Sequence, residues 1–543
     1  MLKIALAQDD FLVGHITANR DRILTAVERA RDELGADLIA FPELALTGYP
    51  PEDLVLRPGF MRRTEVVFRE IVESVHGIDV VLTYPRAEGD QRYNAAAWIR
   101  DRAIVGTYDK WDLPNYAVFD ERRYFVQGET PLVVEVKGVK VGVLICEDTW
   151  APEAARAAKD AGAELLLSSN ASPYYHDKHL DRGEVLRARH RETGLPILYL
   201  NCVGGQDELV FDGHSLCIDG RGELSPPAAL CDEALLHVGF HADAGRLEYL
   251  HWPEGETEGL PVTWRVLQRG LKDYACKNGF GSVVLGLSGG IDSALCAALA
   301  ADALGGEKVH GILMPSRHTS ELSLILATEQ VDLLGLNSET ISIEPIFQAG
   351  LQQLEGPFQG RPENIAEENL QARARGMLLM GLSNKFGHLV LATSNKSELA
   401  VGYSTLYGDM CGGYSPIRDC LKGMVYDLAN WRNAQSPAIP QGVVDRPPSA
   451  ELAPDQTDQD SLPPYPLLDC IIELYVEADR PISEIIEATG LEEAMVRRVA
   501  GLVLGAEFKR RQGAPGPRVT RKAFGRDRRY PITSGWHDSG VRG

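Results

Sequence analysis

Three short segments carry side chains that together can break an amide. They are Phe41-Pro-Glu43, Tyr108-Asp-Lys110-Trp111 and Leu144-Ile-Cys146-Glu-Asp-Thr-Trp150. Cysteine attacks as the thiolate, so its proton must go to a base that later activates water. The tetrahedral intermediate then needs a fixed positive charge beside its oxyanion. Glu43, Lys110 and Cys146 supply one group each. Taken singly, each has an ordinary alternative: a helix-start acid, a solvated lysine, a small buried hydrophobe.

A second set of residues suits phosphate chemistry. Leu285-Gly286-Leu287-Ser288-Gly289-Gly290-Ile291-Asp292-Ser293 follows an apolar stretch and opens a helical one. Small residues let the backbone approach phosphate oxygens, and a helix N-terminus favours anions. Two serine hydroxyls can donate to a leaving pyrophosphate, and Asp292 can hold Mg²⁺, which prefers carboxylates. The loop lacks the Gly-Lys-Ser/Thr of Walker A and is not the dinucleotide fingerprint. Downstream, Asn369 and Arg373 stand four apart on one helix face. Thr393-Ser-Asn-Lys-Ser-Glu398 then follows an apolar strand, where ligands bind in open α/β sheets.

Elements must position these residues. Strands are expected at 2–7, 37–41, 80–82, 95–99, 139–146, 165–168 and 197–201, with helices at 18–34 and 152–161. A Pro/Gly/Glu-rich run at 254–259 marks a boundary, giving domains 1–255 and 260–543. Beyond it come a helix at 264–277, a strand at 282–287, a helix at 293–304 and a strand at 309–314. The Pro-rich, acidic stretch 437–466 reads as a long loop over a site or a connection. Residues 509–529 are locally basic.

Composition narrows the classes. The 543 residues are 44% hydrophobic and 24% charged, as in globular proteins. The apolar runs fall far short of the ~20 residues of a membrane helix, and residues 1–10 contain no signal-peptide core. A net charge of −22 disfavours a nucleic-acid partner. Nine cysteines without a C-x-x-C pair point to a reducing, cytoplasmic setting. His176 and His179 have no third ligand in view and read as a polar loop.

The Glu43, Lys110 and Cys146 segments, in this order, resemble the nitrilase/amidase superfamily over the first half of the chain. Asn115-Tyr116-Ala-Val-Phe-Asp-Glu121 is similar to its glutamine-hydrolysing branch. That resemblance implies that Tyr116, Ser172 and Lys178 hold glutamine and that Glu121 helps position Lys110 or the amide. Family members often carry Arg where Lys178 stands, and Ser172 also suits a turn before Pro173. The loop at 286–293 resembles that of ATP pyrophosphatases, which form adenylates.

With Glu-Asn369-Leu-Gln-Ala-Arg373, Thr393-Ser-Asn-Lys-Ser-Glu398 and Gly402-Tyr-Ser-Thr-Leu-Tyr-Gly-Asp409, nearly the whole chain resembles the glutamine-dependent NAD synthetase family. Pro447-Pro-Ser-Ala-Glu-Leu452 and Tyr465-Pro-Leu-Leu-Asp469 also fit it. The expected fold is α/β: a nitrilase-like αββα sandwich followed by a doubly wound parallel sheet of the adenine nucleotide α hydrolase type. The resemblance implies that residues 286–293 and Thr393 touch ATP. It also implies that Asn369, Glu398 and Lys509 touch deamido-NAD⁺, and that Asp292 and Glu398 share Mg²⁺. Ammonia from glutamine would amidate adenylated deamido-NAD⁺, through an internal passage in a homo-oligomer. The basic tail containing Lys509 would cap the anionic dinucleotide, with a loosely solvated end left open for 518–529.

Two rival readings use parts of the pattern. Amidotransferases making GMP or asparagine share the loop, but use a Cys–His–Glu triad or an N-terminal cysteine. Here the second residue is Leu2 and the candidate nucleophile lies mid-chain. Alternatively, an amidase could carry a nucleotide-sensing module that forms no AMP.

Overall fold

The computed structural model describes residues 1–257, 259–449, 451–453, 456–460 and 462–536. Glu258 of the expected boundary run and Ala450 of the Pro447–Leu452 motif lie outside the described residues. The chain divides into two compact units, Met1–Arg265 and Val266–Gly543, with the division inside the helix Gly259–Lys277.

The first unit is built on period-2 patterning. Its strands are β1 (Leu2–Gln8), β2 (Leu38–Ala40), β3 (Asp79–Glu88), β4 (Gln91–Arg100), β5 (Ala103–Asp109), β6 (Val133–Val136), β7 (Val139–Ile145), β8 (Leu165–Asn170), β9 (Ile197–Asn201), β10 (Val203–Gln206), β11 (Leu209–Asp212), β12 (Leu216–Ile218), β13 (Ala234–His241) and β14 (Arg246–His251). One sheet runs β14-β13-β1-β2-β3-β4-β5 and the other β12-β9-β8-β7-β6, while β10 and β11 form a hairpin. Alternate residues point to opposite faces of a strand. Leu2, Ile4 and Leu6 of β1 therefore join Val141, Val143 and Ile145 of β7 in the core between the sheets. Ala5 and Ala7 face outward with Ile23 and Val27 of the helix Ile16–Asp32 and Val67 and Ile71 of the helix Pro58–Ser74. The second sheet packs outward on Ala154, Ala155 and Ala158 of the helix Glu153–Asp160 and Leu186 of the helix Lys178–Thr193. The layers are αββα, as expected.

The second unit holds a four-stranded parallel sheet: β15 (Val283–Gly286), β16 (Val309–Leu313), β17 (Asn337–Thr340) and β18 (Leu389–Val390), in the order β17-β16-β15-β18. The order reverses between β15 and β18, a switch point of the doubly wound fold. Both the Gly-rich loop and Thr393 leave the sheet there. Short elements interrupt the expected 437–466 loop: a helix at Gln441–Asp445 and a 3₁₀ turn at Asp458–Asp460. At the basic end, where a loosely solvated stretch is the alternative, Arg521, Arg526 and Arg529 are exposed but two arginines are not. Arg518 and Arg528 are buried, paired with Asp527 and Glu507 rather than loosely solvated.

Candidate active sites

In the first unit, three strand ends converge. β7 ends at Ile145, and Cys146 opens a 3₁₀ turn, Cys146–Thr149, with φ of 48°. Such a left-handed residue on a sharp strand-to-turn corner is uncommon outside glycine, and backbone of this kind clusters at functional sites. Lys110 follows β5, and its ammonium is sealed from water between two carboxylates. Its Nζ lies 2.6 Å from Glu43 Oε1 and 2.8 Å from Glu121 Oε2. Asn94 Nδ2 donates to Glu43 Oε1 at 2.7 Å, the backbone N–H of Ala171 donates to Oε2 at 3.2 Å, and the Tyr49 hydroxyl donates to Glu121.

The electrostatics follow from burial with imperfect charge balance. Burial opposes the Lys110 charge, but Glu121 and Glu43 overcome it and hold its pKa well above the lysine value. Burial and then the Glu43 carboxylate push the Cys146 thiol well up, with Lys110 acting the other way. The resting sulfur is therefore a thiol beside a carboxylate that can accept its proton.

The turn carries its own brace. The Asp148 carboxylate accepts from the backbone N–H groups of Trp111, Asp112 and Ile145 and from the Tyr108 hydroxyl. It thus ties the Lys110 loop to the Cys146 turn. Asp148 and Tyr49 stand inside the Cys146 and Glu43 motifs without an assigned role there, and no motif marked Asn94.

The three candidate glutamine ligands sit on loops around it. Tyr116 is half-exposed, and its hydroxyl donates to Glu147, next to Cys146. Lys178 Nζ lies 3.9 Å from the Trp150 ring centroid and 4.6 Å from that of Tyr175. Ser172 is buried, with its N–H bound to Asn201 Oδ1 at 2.8 Å.

In the second unit, a cavity of about 250 Å³ is lined by Gly286, Leu287, Ser288, Gly290, Ile291, Ser293 and Thr393. Gly289 has φ of 75°, and a Cβ on it would stand 2.5 Å from the Ser323 carbonyl oxygen. Arg375 also lines the cavity, its Nε bonded to the Met314 carbonyl. Asp292 and Glu398 face one ammonium: Lys422 Nζ is 2.5 Å from Asp292 Oδ2 and 3.3 Å from Glu398 Oε1. Asn395 Nδ2 donates to Asp292 Oδ1, and Asn395 and Glu398 form a capping box on the helix Lys396–Val401. Burial and then Asp292 raise the Glu398 carboxyl to about 8.

Asn369 and Lys509 do not line the cavity. They brace the segment 402–405: Asn369 Oδ1 accepts from Thr405 Oγ1 at 2.6 Å, and Lys509 Nζ donates to the carbonyls of Gly402 and Ser404. Arg373, exposed, bonds the Leu406 carbonyl. Lys422 and Arg375 had no local signal in the sequence; a lysine opening a helix and a second arginine in Ala-Arg-Ala-Arg are unremarkable without the fold.

Comparison with known proteins matches both halves. Residues 3–236 match the carbon-nitrogen hydrolase family and residues 263–513 the NAD synthase family. A glutamine-dependent NAD(+) synthetase of Xylella fastidiosa is 52% identical over 540 residues, covering 98% of this chain and 99% of its own. The chain belongs to the glutamine-dependent NAD(+) synthetase family. A relative of that name in Acinetobacter baylyi is 46% identical over 536 residues, covering 98% of each chain. The structure of a glutamine-dependent NAD+ synthetase from Acinetobacter baumannii in complex with ADP superposes on this chain with a TM-score of 0.79, at 42% identity and 99% coverage of both chains. The two units of the chain thus correspond to a carbon-nitrogen hydrolase and an ATP-dependent carbon–nitrogen ligase. Among the described residues, no helix is long and apolar enough to cross a membrane.

Proposed function

We propose that the chain converts deamido-NAD⁺, ATP, glutamine and water to NAD⁺, AMP, pyrophosphate and glutamate, with its chemistry divided between the two clusters. Cys146 Sγ attacks the glutamine side-chain carbonyl as Glu43 takes the thiol proton. Lys110, held by Glu43 and Glu121, meets the oxyanion. Glu43 returns the proton to the departing nitrogen, ammonia leaves, and the thioester remains. Glu43 then takes a proton from water, which attacks the thioester; glutamate leaves, and Glu43 returns the proton to Cys146 Sγ. Tyr116, Ser172 and Lys178 hold the amino acid; a hydroxyl and an ammonium suit its carboxylate.

In the second unit the loop at 286–293 and Thr393 take ATP, while Asn369, Glu398 and Lys509 take deamido-NAD⁺. The nicotinate carboxylate attacks the α-phosphorus, pyrophosphate leaves, and ammonia displaces AMP from the mixed anhydride. Asp292 and Glu398 facing one cation form the oxygen donor pair that a hard divalent ion accepts. Bound there, Mg²⁺ supplies neutralising charge for the phosphates. The reading includes a cytoplasmic homo-oligomer, whose subunit number native mass measurement determines.

The observation that carries this reading is full-length kinship at 52% identity together with an intact Glu43–Lys110–Cys146 cluster. The test supplies deamido-NAD⁺ and ATP with either glutamine or ammonium. Cys146→Ala is expected to abolish glutamine use and spare ammonium use. Asp292→Ala should spare glutaminase and stop AMP formation. Turnover of XMP or aspartate in place of deamido-NAD⁺, or glutaminase stimulated by ATP with no AMP released, would overturn the reading.

A further inference from the structure

The loop at 286–293 has no cation of its own. It holds no Lys or Arg, and its single charge is the carboxylate of Asp292. A triphosphate held there needs positive charge from elsewhere in the fold. Two arginines line the cavity, Arg375 and Arg446. Arg446 is already engaged: its Nη2 donates to Glu451 Oε1 at 2.6 Å and its Nη1 to Ser323 Oγ at 2.5 Å. Lys422 is likewise shared between Asp292 and Glu398.

Arg375 is held differently. It is partly buried, and its hydrogen bond runs from Nε to the Met314 carbonyl at 3.2 Å. Among the described residues no carboxylate pairs with it, and neither Nη has a hydrogen-bond partner. Burial pulls its pKa below the usual arginine value, with the charge of Glu451 acting against it. Taking a cation out of water without a bonded anion is unfavourable, so the fold leaves an ion pair half made. The helix Ile365–Phe386 accounts for its direction. Ala372, Arg375, Gly376 and Leu379 all line the cavity, spaced three and four apart on one face. A Cβ on Gly286, where the loop begins, would stand 3.9 Å from Leu379 and 2.9 Å from Met314, the residue whose carbonyl Arg375 grips. The guanidinium is thus anchored by Nε at the edge of the loop, with the Nη side of its planar fork open to the cavity.

We infer that Arg375 is the phosphate-binding arginine of this site, its two Nη groups donating to the triphosphate of ATP held by the Gly-rich loop. The phosphate oxygens complete the ion pair that the protein leaves open, and the fork suits them better than a point charge would. Because Nε stays on Met314, the side chain is ordered before the nucleotide arrives and loses little freedom on binding. This inference rests on the reading of residues 286–293 as the ATP loop.

Calorimetric titration of the full chain with ATP, with adenosine and with deamido-NAD⁺ tests it. Arg375→Gln is expected to weaken ATP about ten- to hundredfold, the loss of charge-assisted hydrogen bonds, and to leave adenosine within about twofold. Arg375→Lys keeps the charge without the fork and should recover part of the loss. The KM for ATP in ammonium-dependent synthesis should rise in the same order. Equal weakening of ATP and adenosine would mean that Arg375 only props Met314 and the cavity wall, and would overturn the inference. Weakened deamido-NAD⁺ with ATP unchanged would give the cation to the other substrate and overturn it too. If the unsubstituted chain binds no ATP, the reading of the loop fails and the inference falls with it. Should Arg375→Gln not fold, Arg375→Met removes the same charge and enters with the same expectations.

Discussion

Lys110 keeps its charge out of reach of water because two carboxylates face it, and the sulfur beside them keeps its proton first because it is buried and then because Glu43 is near. The residues with distinctive chemistry were legible in the sequence: Glu43, Lys110 and Cys146 each close a strand with a motif around them. Asp148 was not, because its meaning lies in partners from other segments, Tyr108, Trp111 and Asp112. It also has a testable pH signature. Burial raises its carboxyl from 3.8 to about 7, against the hydrogen bonds that lower it. Below pH 3.8 both folded and unfolded chains hold this proton; between 3.8 and about 7 only the folded chain does. Stability from this group is thus lost as pH rises through that window and is level above it. Asp148→Asn removes the titration and leaves backbone donors unmatched. Thermal unfolding followed from pH 5 to 8 should show a flatter profile in the variant, at a cost of about 1–3 kcal/mol. Glutaminase should fall with it while ammonium-dependent synthesis persists.

Elements decide where such residues stand. Hydrophobic alternation foretold β1, β7, β8 and β9 to within a few residues, because each has one face in the core between the sheets and the other under helices. It underestimated β3 and β4, expected at 80–82 and 95–99 but spanning Asp79–Glu88 and Gln91–Arg100. Their outer halves are polar, and pairing with each other, rather than burial, extends them. The Gly-rich loop shows how an element constrains a single atom. Gly289 combines positive φ with a carbonyl 2.5 Å from any added Cβ. Gly289→Ala should therefore shift the loop away from phosphate, costing about 1–3 kcal/mol in backbone strain. Ammonium-dependent synthesis is expected to drop by more than about tenfold with glutaminase intact; equal loss of both in assays of the full chain would refute it.

At the scale of the whole molecule, the chain beyond residue 513 lies outside the NAD synthase family match yet is wired into the second unit. Lys396, fully buried beside the Asn395–Glu398 cap, bonds Thr520 Oγ1 at 2.6 Å and the Lys522 carbonyl at 3.0 Å. Asp419 receives the backbone N–H groups of Val519 and Thr520, and Arg418 reaches the Ala514 carbonyl. A chain ending at Gly513 leaves Lys396 paired with Glu477 and Asp419 but removes its bonds to Thr520 and Lys522 and the backbone donors of Asp419, each buried group left unmatched costing about 1–3 kcal/mol. It should lose AMP formation from deamido-NAD⁺ and ATP while still hydrolysing glutamine; retention of both activities would contradict the wiring.

Sequence alone determined the α/β class and the two chemistries, and it marked the candidate residues for them. Hydrophobic period and the spacing of reactive side chains are local properties that survive without coordinates. Tertiary structure alone decided that Glu121 and Glu43 share one lysine, that Asp292 and Glu398 share another, and that Arg375 is anchored on Met314 beside the Gly-rich loop. Those pairings join residues from separate segments. Their worth comes from exclusion of water, which only the packed fold creates.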